Sequence, residues 1–262
     1  DTLKIDNQYA QAAVSLWGGH ILSFIPKHDG RERLFVSEEA LFDGSKSIRG
    51  GGPICWPWFG SRQDGLQAHG YVRTRDWQLI TAKDEADFTE LVLTPLSTTG
   101  DGFDGEAELY LTIQIGRQMK VTLSTKNLGS TAFEYNAALH TYFSVDDIAH
   151  TELKGLSGIY SDNVRDWARF ETPVPYSFTE ETDRIHHNPV QQVSIQQLGS
   201  LIGIESFGHD SLVVWNPWFE KATQMRDMTN MGYKKMLCVE TAVTQGESVA
   251  PGELHSLTQV VS

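Results

Sequence analysis

The sequence lacks the short motifs by which many enzyme classes are recognised. Its 262 residues contain no H-x-H, H-E-x-x-H or C-x-x-C motif, the common signatures of zinc sites. The G-x-S-x-G motif of hydrolases and the phosphate-binding loop ending in G-K-S/T are missing, as is a dinucleotide fingerprint between a strand and a helix. We therefore expect neither a metal nor an organic cofactor.

Positive charge is scarce as well. Lysine and arginine number 21 against 34 acidic residues, which gives a formal net charge of −13. This balance argues against a nucleic-acid partner and against an anionic membrane surface. No apolar run approaches the roughly 18 residues of a membrane span. An anionic ligand would have to be held by local arginines acting against the field of the whole chain.

There are only two cysteines. Cys55 and Cys238 both lie in apolar runs, which favours buried free thiols in a reducing compartment, with a single disulfide as the alternative. We accordingly expect a cytoplasmic protein. The sequence begins at Asp1 rather than methionine, so an N-terminal segment missing from it is compatible with this reasoning.

Short apolar runs separated by turn residues dominate the chain. Residues 107–115 alternate apolar and polar over nine positions, the pattern of a half-buried strand, and residues 119–125 are the expected hairpin partner. Further strands are predicted at residues 9–16, 21–25, 34–36, 77–81, 89–96 and 132–143. No long amphipathic helix and no linker interrupt them. The pattern predicts an all-β fold, a β-sandwich or barrel, with residues 1–262 as a single domain.

The segment from Ile48 to Arg73 is an irregular loop with functional character. It combines Gly50–Gly52 with two tryptophans and several arginines, a composition that excludes an amphipathic helix and is typical of an ordered functional loop. The glycines after Arg49 would let the backbone approach a bound anion. Three tryptophans, Trp56, Trp58 and Trp215, are candidates either for the pocket wall or for the core.

Glu240 is the most informative carboxylate because it lies in a strand-like apolar run. Alternation places it on one face with Cys238, opposite Leu237 and Val239. It is either a salt-bridged or strand-end residue, or a general base whose pKa is raised by dry surroundings.

The histidines leave similar alternatives open. His69, His140 and His20 are each either a hydrogen-bonded core residue or a catalytic group. By contrast, His186 and His187 lie in a polar stretch and are predicted to be at the surface.

Five runs, IRGGGPICWPWFG, AHGYVR, ALHTYF, ETDR and CVETA, together resemble the hexose-6-phosphate mutarotases, relatives of aldose 1-epimerase. The resemblance implies a large antiparallel β-sandwich of the galactose mutarotase-like type. It also implies cofactor-independent interconversion of the α and β anomers of an aldohexose phosphate. By this resemblance His140 is the acid that protonates the ring oxygen. Glu240 is the base that takes the proton of the anomeric hydroxyl, the two groups standing on opposite sides of the sugar.

The resemblance also assigns the substrate contacts. Arg49 and Arg73 would bind the phosphate, Asp183 would hydrogen-bond sugar hydroxyls, and His69 would touch the sugar near the reacting end. Relatives often carry a glutamine directly before this histidine; here Gln67 stands one place earlier, and we include it as a candidate.

Three alternatives remain beside this assignment. A non-catalytic sugar-binding protein, a mutarotase for unphosphorylated sugars, and a carbohydrate lyase or hydrolase could all use such a scaffold. The expected partner is a small-molecule hexose phosphate, and the expected assembly is a monomer or weak dimer.

Overall fold

Strands form 51% of the structure and helices 7%, which confirms the all-β prediction. The structure is a computed structural model that describes residues 1–62 and 64–262. In chain order the strands are β1 (Thr2–Asp6), β2 (Ala10–Ser15), β3 (His20–Pro26), β4 (Ile54–Cys55), β5 (Trp77–Asp84), β6 (Phe88–Pro95), β7 (Ala107–Gly116), β8 (Met119–Asn127), β9 (Phe133–Leu139), β10 (Tyr142–Ser144), β11 (Glu152–Lys154), β12 (Ile159–Asp162), β13 (Ala168–Glu171), β14 (Tyr176–Ser177), β15 (Thr182–His186), β16 (Gln192–Gln197), β17 (Ser200–Phe207), β18 (Ser211–Asn216), β19 (Met236–Val249) and β20 (Leu254–Val261).

Helical structure is confined to short pieces. An α-helix, α1 (Trp218–Ala222), is joined by four 3₁₀ turns at Val72–Thr74, Ile148–His150, Asn163–Arg165 and Gly232–Lys235. None of the helices in the described parts of the chain has the length and apolarity that crossing a membrane requires.

The strands assemble into two large sheets and one small one, all antiparallel. One large sheet has the order β13-β12-β15-β18-β19-β9-β4, with β10 also pairing with β19, and the other has the order β14-β11-β16-β17-β20-β8-β7-β6-β5. Strands β1, β2 and β3 form the small sheet. One buried apolar cluster contains side chains from both large sheets, which is the arrangement of a sandwich.

The predicted hairpin at residues 107–125 is present as β7 and β8. Every second residue of β7 is buried, and Leu109, Leu111 and Ile113 are fully buried. Each such side chain contributes roughly 1.5–3 kcal/mol of hydrophobic stabilisation. The apolar residues whose alternation predicted the strand are therefore the ones that face the core.

Two of the predicted strands differ in detail. Residues 34–36 form only isolated bridges, Leu34 with Phe143 of β10 and Val36 with Gly50 of the long loop. The segment 132–143 is interrupted at His140, whose N–H donates to the carbonyl of Pro53 at 3.0 Å. That bend turns the end of β9 toward the long loop.

The cysteine prediction is confirmed and one histidine prediction is wrong. Cys55 and Cys238 are buried free thiols. His186, predicted to be at the surface, is fully buried in β15 with Nε2 3.1 Å from the hydroxyl of Tyr176. Its strand alternates inward and outward, so one histidine of the pair points in. Burial lowers the pKa of His186 to about 3.

Candidate active site

The centre of the candidate site is β19, an interior strand of the first large sheet. Its first eight residues are all buried. The pairs Leu139 with Thr241 and Tyr142 with Cys238 belong to one register, which places His140 opposite Glu240. On the other side of β19, Val213 of β18 pairs with Glu240. The sheet itself therefore brings the two sequence-predicted catalytic residues together.

Glycines fix the loop that carries Arg49. Gly50 and Gly51 have φ values of 110° and 63°, and a Cβ would lie 2.3 Å from the carbonyl oxygen of Phe35 or 2.2 Å from that of Ile21. Such conformations and close approaches favour glycine. We expected these glycines to admit a bound anion; instead they admit the neighbouring protein backbone.

A second tight turn presents His69. This residue has a φ of 63°, and the next residue, Gly70, packs so closely that a Cβ would lie 1.9 Å from the carbonyl oxygen of Trp56. A left-handed conformation is uncommon outside glycine, and such strain concentrates at functional sites. The turn places the His69 ring 5.4 Å from the ring of His140.

These elements enclose a cavity of about 550 Å³. Six of the seven sequence-predicted site residues line it: Arg49, His69, Arg73, His140, Asp183 and Glu240. The volume lies within the usual range of small-molecule sites. The cavity is therefore large enough for a hexose phosphate.

Gln67 is the predicted site residue that the cavity does not include. Its Nε2 donates to the carbonyl of Gly70 at 2.6 Å and to the hydroxyl of Thr74 at 2.9 Å. It lines a smaller neighbouring cavity of about 180 Å³, which also touches Arg49 and Arg73. Its observed contacts are those of a residue that braces the turn.

His140 and Glu240 lie side by side. Nδ1 of the imidazole is 3.3 Å from Oε1 of the carboxyl group, although this nitrogen and Oε2 of Glu240 make no hydrogen bond within the described residues. No sugar ring fits between atoms so close. The expectation that the two groups flank the substrate is therefore replaced by one in which the substrate meets both from the same side.

Burial shifts the pKa values of this pair in opposite directions. Desolvation, reinforced by the charge of Asp183, raises the pKa of Glu240 well above its ordinary value. Desolvation, reinforced by His69, Arg73 and Arg49, lowers the pKa of His140 well below its ordinary value. Both follow from the cost of placing a charge in a dry environment.

Burial also shifts the pKa values of two neighbouring residues, Asp183 and His69. Burial raises the pKa of Asp183, even though Asn163 donates a hydrogen bond to its carboxylate at 2.7 Å. Burial, followed by the charge of Arg73, lowers the pKa of His69 to about 3. The N–H of Gly60 lies 3.3 Å from Nδ1 of His69, so the neutral ring carries its proton on Nε2. His69 can therefore donate a hydrogen bond.

The two arginines supply the positive charge. Arg49 donates from Nη1 to the Tyr142 hydroxyl at 2.9 Å, and its Nη2 lies 3.1 Å from Oδ2 of Asp227. Arg73 donates from Nη2 to the carbonyl of Ala68 at 2.7 Å. For both side chains Nε is buried without a partner in the described chain. A guanidinium has five N–H donors, and the contacts above use two of them in Arg49 and one in Arg73, so each side chain has donors left for a ligand.

Several cavity residues were missed by sequence reasoning. Tyr142 and Lys221 line the cavity, and so does Trp167, whose backbone φ is 62° and whose surface is 52% exposed. Tyr142 stood within the ALHTYF run, so its neighbour His140 was a usable signal. Trp167 and Lys221 carry no local signal, because their position depends on the packing of loops after β12 and β18.

The tryptophans divide between the two predicted roles. Trp56 is fully buried and Trp58 is 6% exposed, and both belong to the core. Trp215 is buried yet lines the cavity, with its ring 6.1 Å from that of His140. One aromatic wall of the cavity is therefore a residue of β18.

One group of side chains in the described chain has metal-ligating atoms close together. Potential ligand atoms of His140, Cys238 and Glu240 lie within 4.8 Å of one another. Ligands about 2.0–2.3 Å from a tetrahedral zinc ion are roughly 3.3–3.8 Å apart. The separation of up to 4.8 Å exceeds that of such a site, and a metal there would occupy atoms of both candidate catalytic residues, His140 and Glu240.

Comparison with known proteins places this geometry in a family. The aldose 1-epimerase family model matches residues 1–262. An Escherichia coli K12 protein with the provisional name glucose-6-phosphate 1-epimerase is 34% identical over 249 residues, which cover 92% of this chain and 83% of the relative.

Solved structures agree. A Salmonella typhimurium protein, provisionally titled a mutarotase, superposes with a TM-score of 0.93 at 30% identity, covering 100% of this chain and 89% of that one. A galactose mutarotase-like protein from Clostridium acetobutylicum shares the fold, with a TM-score of 0.78 at 14% identity over 100% of this chain and 94% of its own. These findings confirm the predicted galactose-mutarotase-like fold and the resemblance from which it was drawn. The chain belongs to the aldose 1-epimerase family and is an isomerase of the mutarotase type.

Proposed function

We propose that this protein interconverts the α and β anomers of an aldohexose 6-phosphate, with glucose 6-phosphate as the first substrate to test. One observation carries the proposal: a buried carboxyl and an imidazole 3.3 Å apart share a cavity with two arginines that retain free donors. The provisional name of the Escherichia coli relative supports the same substrate.

The proposed reaction needs two proton transfers. Glu240 takes the proton of the C1 hydroxyl while His140 gives a proton to the ring oxygen, O5. The C1–O5 bond breaks and leaves an open-chain aldehyde. Rotation about C1–C2 presents the other face of the carbonyl. O5 then attacks C1, while His140 takes back the O5 proton and Glu240 returns its proton to the carbonyl oxygen. Atoms and charge balance without any further reactant.

The opposite pKa shifts suit this exchange. In the empty site the raised pKa of Glu240 and the lowered pKa of His140 favour a protonated carboxyl beside a neutral imidazole. The reactive form, carboxylate beside imidazolium, holds the same number of protons. A single proton redistributed within the pair therefore generates base and acid together, and the two groups titrate as a unit. We expect kcat/KM to form a broad plateau against pH.

The arginines supply the specificity in this proposal. A guanidinium offers paired, charge-assisted hydrogen bonds that match a phosphate group. Arg49 and Arg73 both line the cavity. Against a net charge of −13, this local positive charge favours an anionic substrate over a neutral one.

The sugar hydroxyls are assigned to polar groups at the other side of the cavity. Asp183 accepts a hydrogen bond from Asn163 at 2.7 Å and lines the cavity, and His69 offers a donor. Trp167 and Trp215 present aromatic surface to the same space. We assign these residues to binding rather than to proton transfer.

The direct test is anomerisation of purified α-glucose 6-phosphate and of α-glucose, followed by polarimetry or NMR at equal enzyme concentration. We expect kcat/KM for the phosphate ester to exceed that for the free sugar by at least about tenfold, since charge-assisted bonds contribute roughly 1.5–3 kcal/mol each. Equal values would remove the phosphate assignment. Products other than the two anomers would replace the mutarotase assignment with bond cleavage.

A further inference from the structure

Asp227 holds the arginine that faces the cavity. Its Oδ2 lies 3.1 Å from Nη2 of Arg49, and the two side chains are 11% and 27% exposed. The residues are 178 positions apart in sequence. Asp227 belongs to the segment between α1 and β19, whereas Arg49 lies in the loop after β3. The contact therefore joins two loops that the sheets alone do not connect.

Asp227 lies outside the cavity assigned to the candidate substrate. Asp227 lines the smaller cavity of about 180 Å³ and is not among the residues that line the cavity of about 550 Å³. Arg49, Arg73 and Tyr142 line both. Arg49 therefore lines both spaces, whereas its carboxylate partner lines only the smaller one.

Tyr142 holds the Arg49 side chain at a second point. Nη1 of Arg49 donates to the hydroxyl of Tyr142 at 2.9 Å, and Tyr142 is buried. Two of the five guanidinium hydrogens are engaged by these contacts, and the remaining three include the one on Nε, which has no partner in the described chain. The arginine is fixed at two points and retains donors to offer.

Fixing the arginine matters energetically. A free arginine side chain carries about 2 kcal/mol of rotamer entropy, part of which a ligand must remove on binding. Arg49 and Arg73 also share both cavities, so their like charges oppose one another in the empty protein. A carboxylate behind Arg49 reduces both penalties before the ligand arrives.

We propose that Asp227 is a positioning residue that orients Arg49 toward the phosphate group of the substrate and thereby sets the preference for phosphorylated sugars. This inference rests on the proposed function. Asp227 does not touch the substrate in this arrangement. Its effect is exerted through Arg49 and falls on substrates that carry the anionic group.

The test measures a preference rather than an activity. For Asp227→Asn and Asp227→Ala we expect KM for glucose 6-phosphate to rise about fivefold and about tenfold, with kcat within about threefold of wild type. The ratio of kcat/KM for glucose 6-phosphate to that for glucose should fall by a similar factor. The asparagine variant is nearly isosteric and keeps an oxygen acceptor, so it serves if the alanine variant folds poorly. Asp104→Asn, at an exposed position, is the matched control.

A double-mutant cycle isolates the contact. In an Arg49→Ala background, Asp227→Ala should change KM by less than about twofold, because its partner is gone. Additive effects in the cycle, or an Asp227 variant whose substrate ratio stays at the wild-type value, would overturn the positioning role. A loss of folding stability alone would lower activity on both sugars alike and leave that ratio unmoved.

Failure of this inference is separable from failure of the proposed function. If wild-type protein does not prefer glucose 6-phosphate to glucose, the phosphate assignment fails and this inference fails with it. If the wild-type preference is present and Asp227→Ala retains it, only the role of Asp227 fails. Inorganic phosphate provides a second readout, because a ligand of the folded state raises Tm. We expect Asp227→Ala to reduce that rise.

Discussion

The rings of His140 and Tyr142 are stacked, with their centroids 5.0 Å apart and their planes 11° from parallel. Because the Tyr142 hydroxyl also accepts a hydrogen bond from Arg49, one side chain contacts both the candidate acid and the candidate phosphate-binding arginine. Tyr142 therefore contacts residues with two different candidate roles, proton transfer and phosphate binding.

Tyr142→Phe separates these functions. The substitution keeps the ring against His140 and removes the oxygen that anchors Arg49. A hydrogen bond to a charged group contributes roughly 1.5–3 kcal/mol. We expect KM for glucose 6-phosphate to rise about tenfold while kcat stays within about threefold, as steady-state kinetics would show. A fall in kcat at constant KM would instead assign Tyr142 to the chemical step.

His140→Asn and Glu240→Gln remove the two candidate proton-transfer groups while preserving shape. General acid–base catalysis is worth roughly 10²–10⁴-fold, so we expect kcat to fall by that amount in each variant. The fall should appear in saturation-transfer NMR between anomers, with circular dichroism confirming the fold. Wild-type turnover in either folded variant would refute its role.

Glu240→Gln should also change stability, in a direction set by the raised pKa of the carboxyl group. Below the ordinary glutamate pKa the group is protonated in both folded and unfolded states and carries no ionisation penalty. As pH rises, the unfolded state releases its proton first, and wild-type stability falls until the folded carboxyl ionises. Glutamine does not ionise, so the stability of the variant lacks this loss as the pH rises. Urea unfolding should show the variant gaining stability relative to wild type as the pH rises above about 4.3, the ordinary glutamate pKa. A constant difference would contradict the raised pKa of Glu240.

His186 should make the protein sensitive to acid. Its pKa is lowered to about 3 by burial, followed by the charges of Arg184 and His187. Below about pH 6.5 the unfolded state binds a proton that the folded state excludes, so stability falls as pH decreases toward 3. Between pH 6.5 and pH 5 this histidine alone accounts for about 2 kcal/mol.

The comparison for that prediction is His186→Gln, which can still bond the Tyr176 hydroxyl. Its unfolding free energy should fall less steeply than that of wild type over this interval. Parallel pH curves for the two proteins would show that His186 titrates normally in the fold. His20, also buried, with a pKa of about 4, adds to the acid sensitivity of both proteins equally.

Local pattern was enough to predict much of the architecture. The alternation of apolar and polar residues at 107–115 matches the alternating burial of β7, because one face of that strand packs against the core. His186 shows the limit of the same reasoning, since a polar neighbourhood in sequence concealed an inward-facing position between two tyrosines. A pair of adjacent histidines in a strand cannot both face solvent when one side of the sheet is covered.

The candidate site was predictable only in part. His140 and Glu240 were identified from their runs and from resemblance, and their contact follows from strand register. Asp227 escaped notice because its relation to Arg49 exists only after two distant loops meet. Trp167 was missed for the same reason. Sequence periodicity describes how a segment faces its own sheet, whereas loop-to-loop contacts depend on the whole fold.

The close packing of Gly51 against Ile21 ties the arginine-bearing loop to β3, and the imidazole of His20 reinforces this attachment with its Nε2 2.6 Å from the carbonyl oxygen of Gly50. The small amino-terminal sheet therefore positions the loop that carries Arg49, the candidate phosphate-binding residue. Shortening or redesigning this three-stranded sheet in protein engineering would displace Arg49. Under the proposed function, affinity for anionic sugars would then fall before the candidate acid–base pair was disturbed.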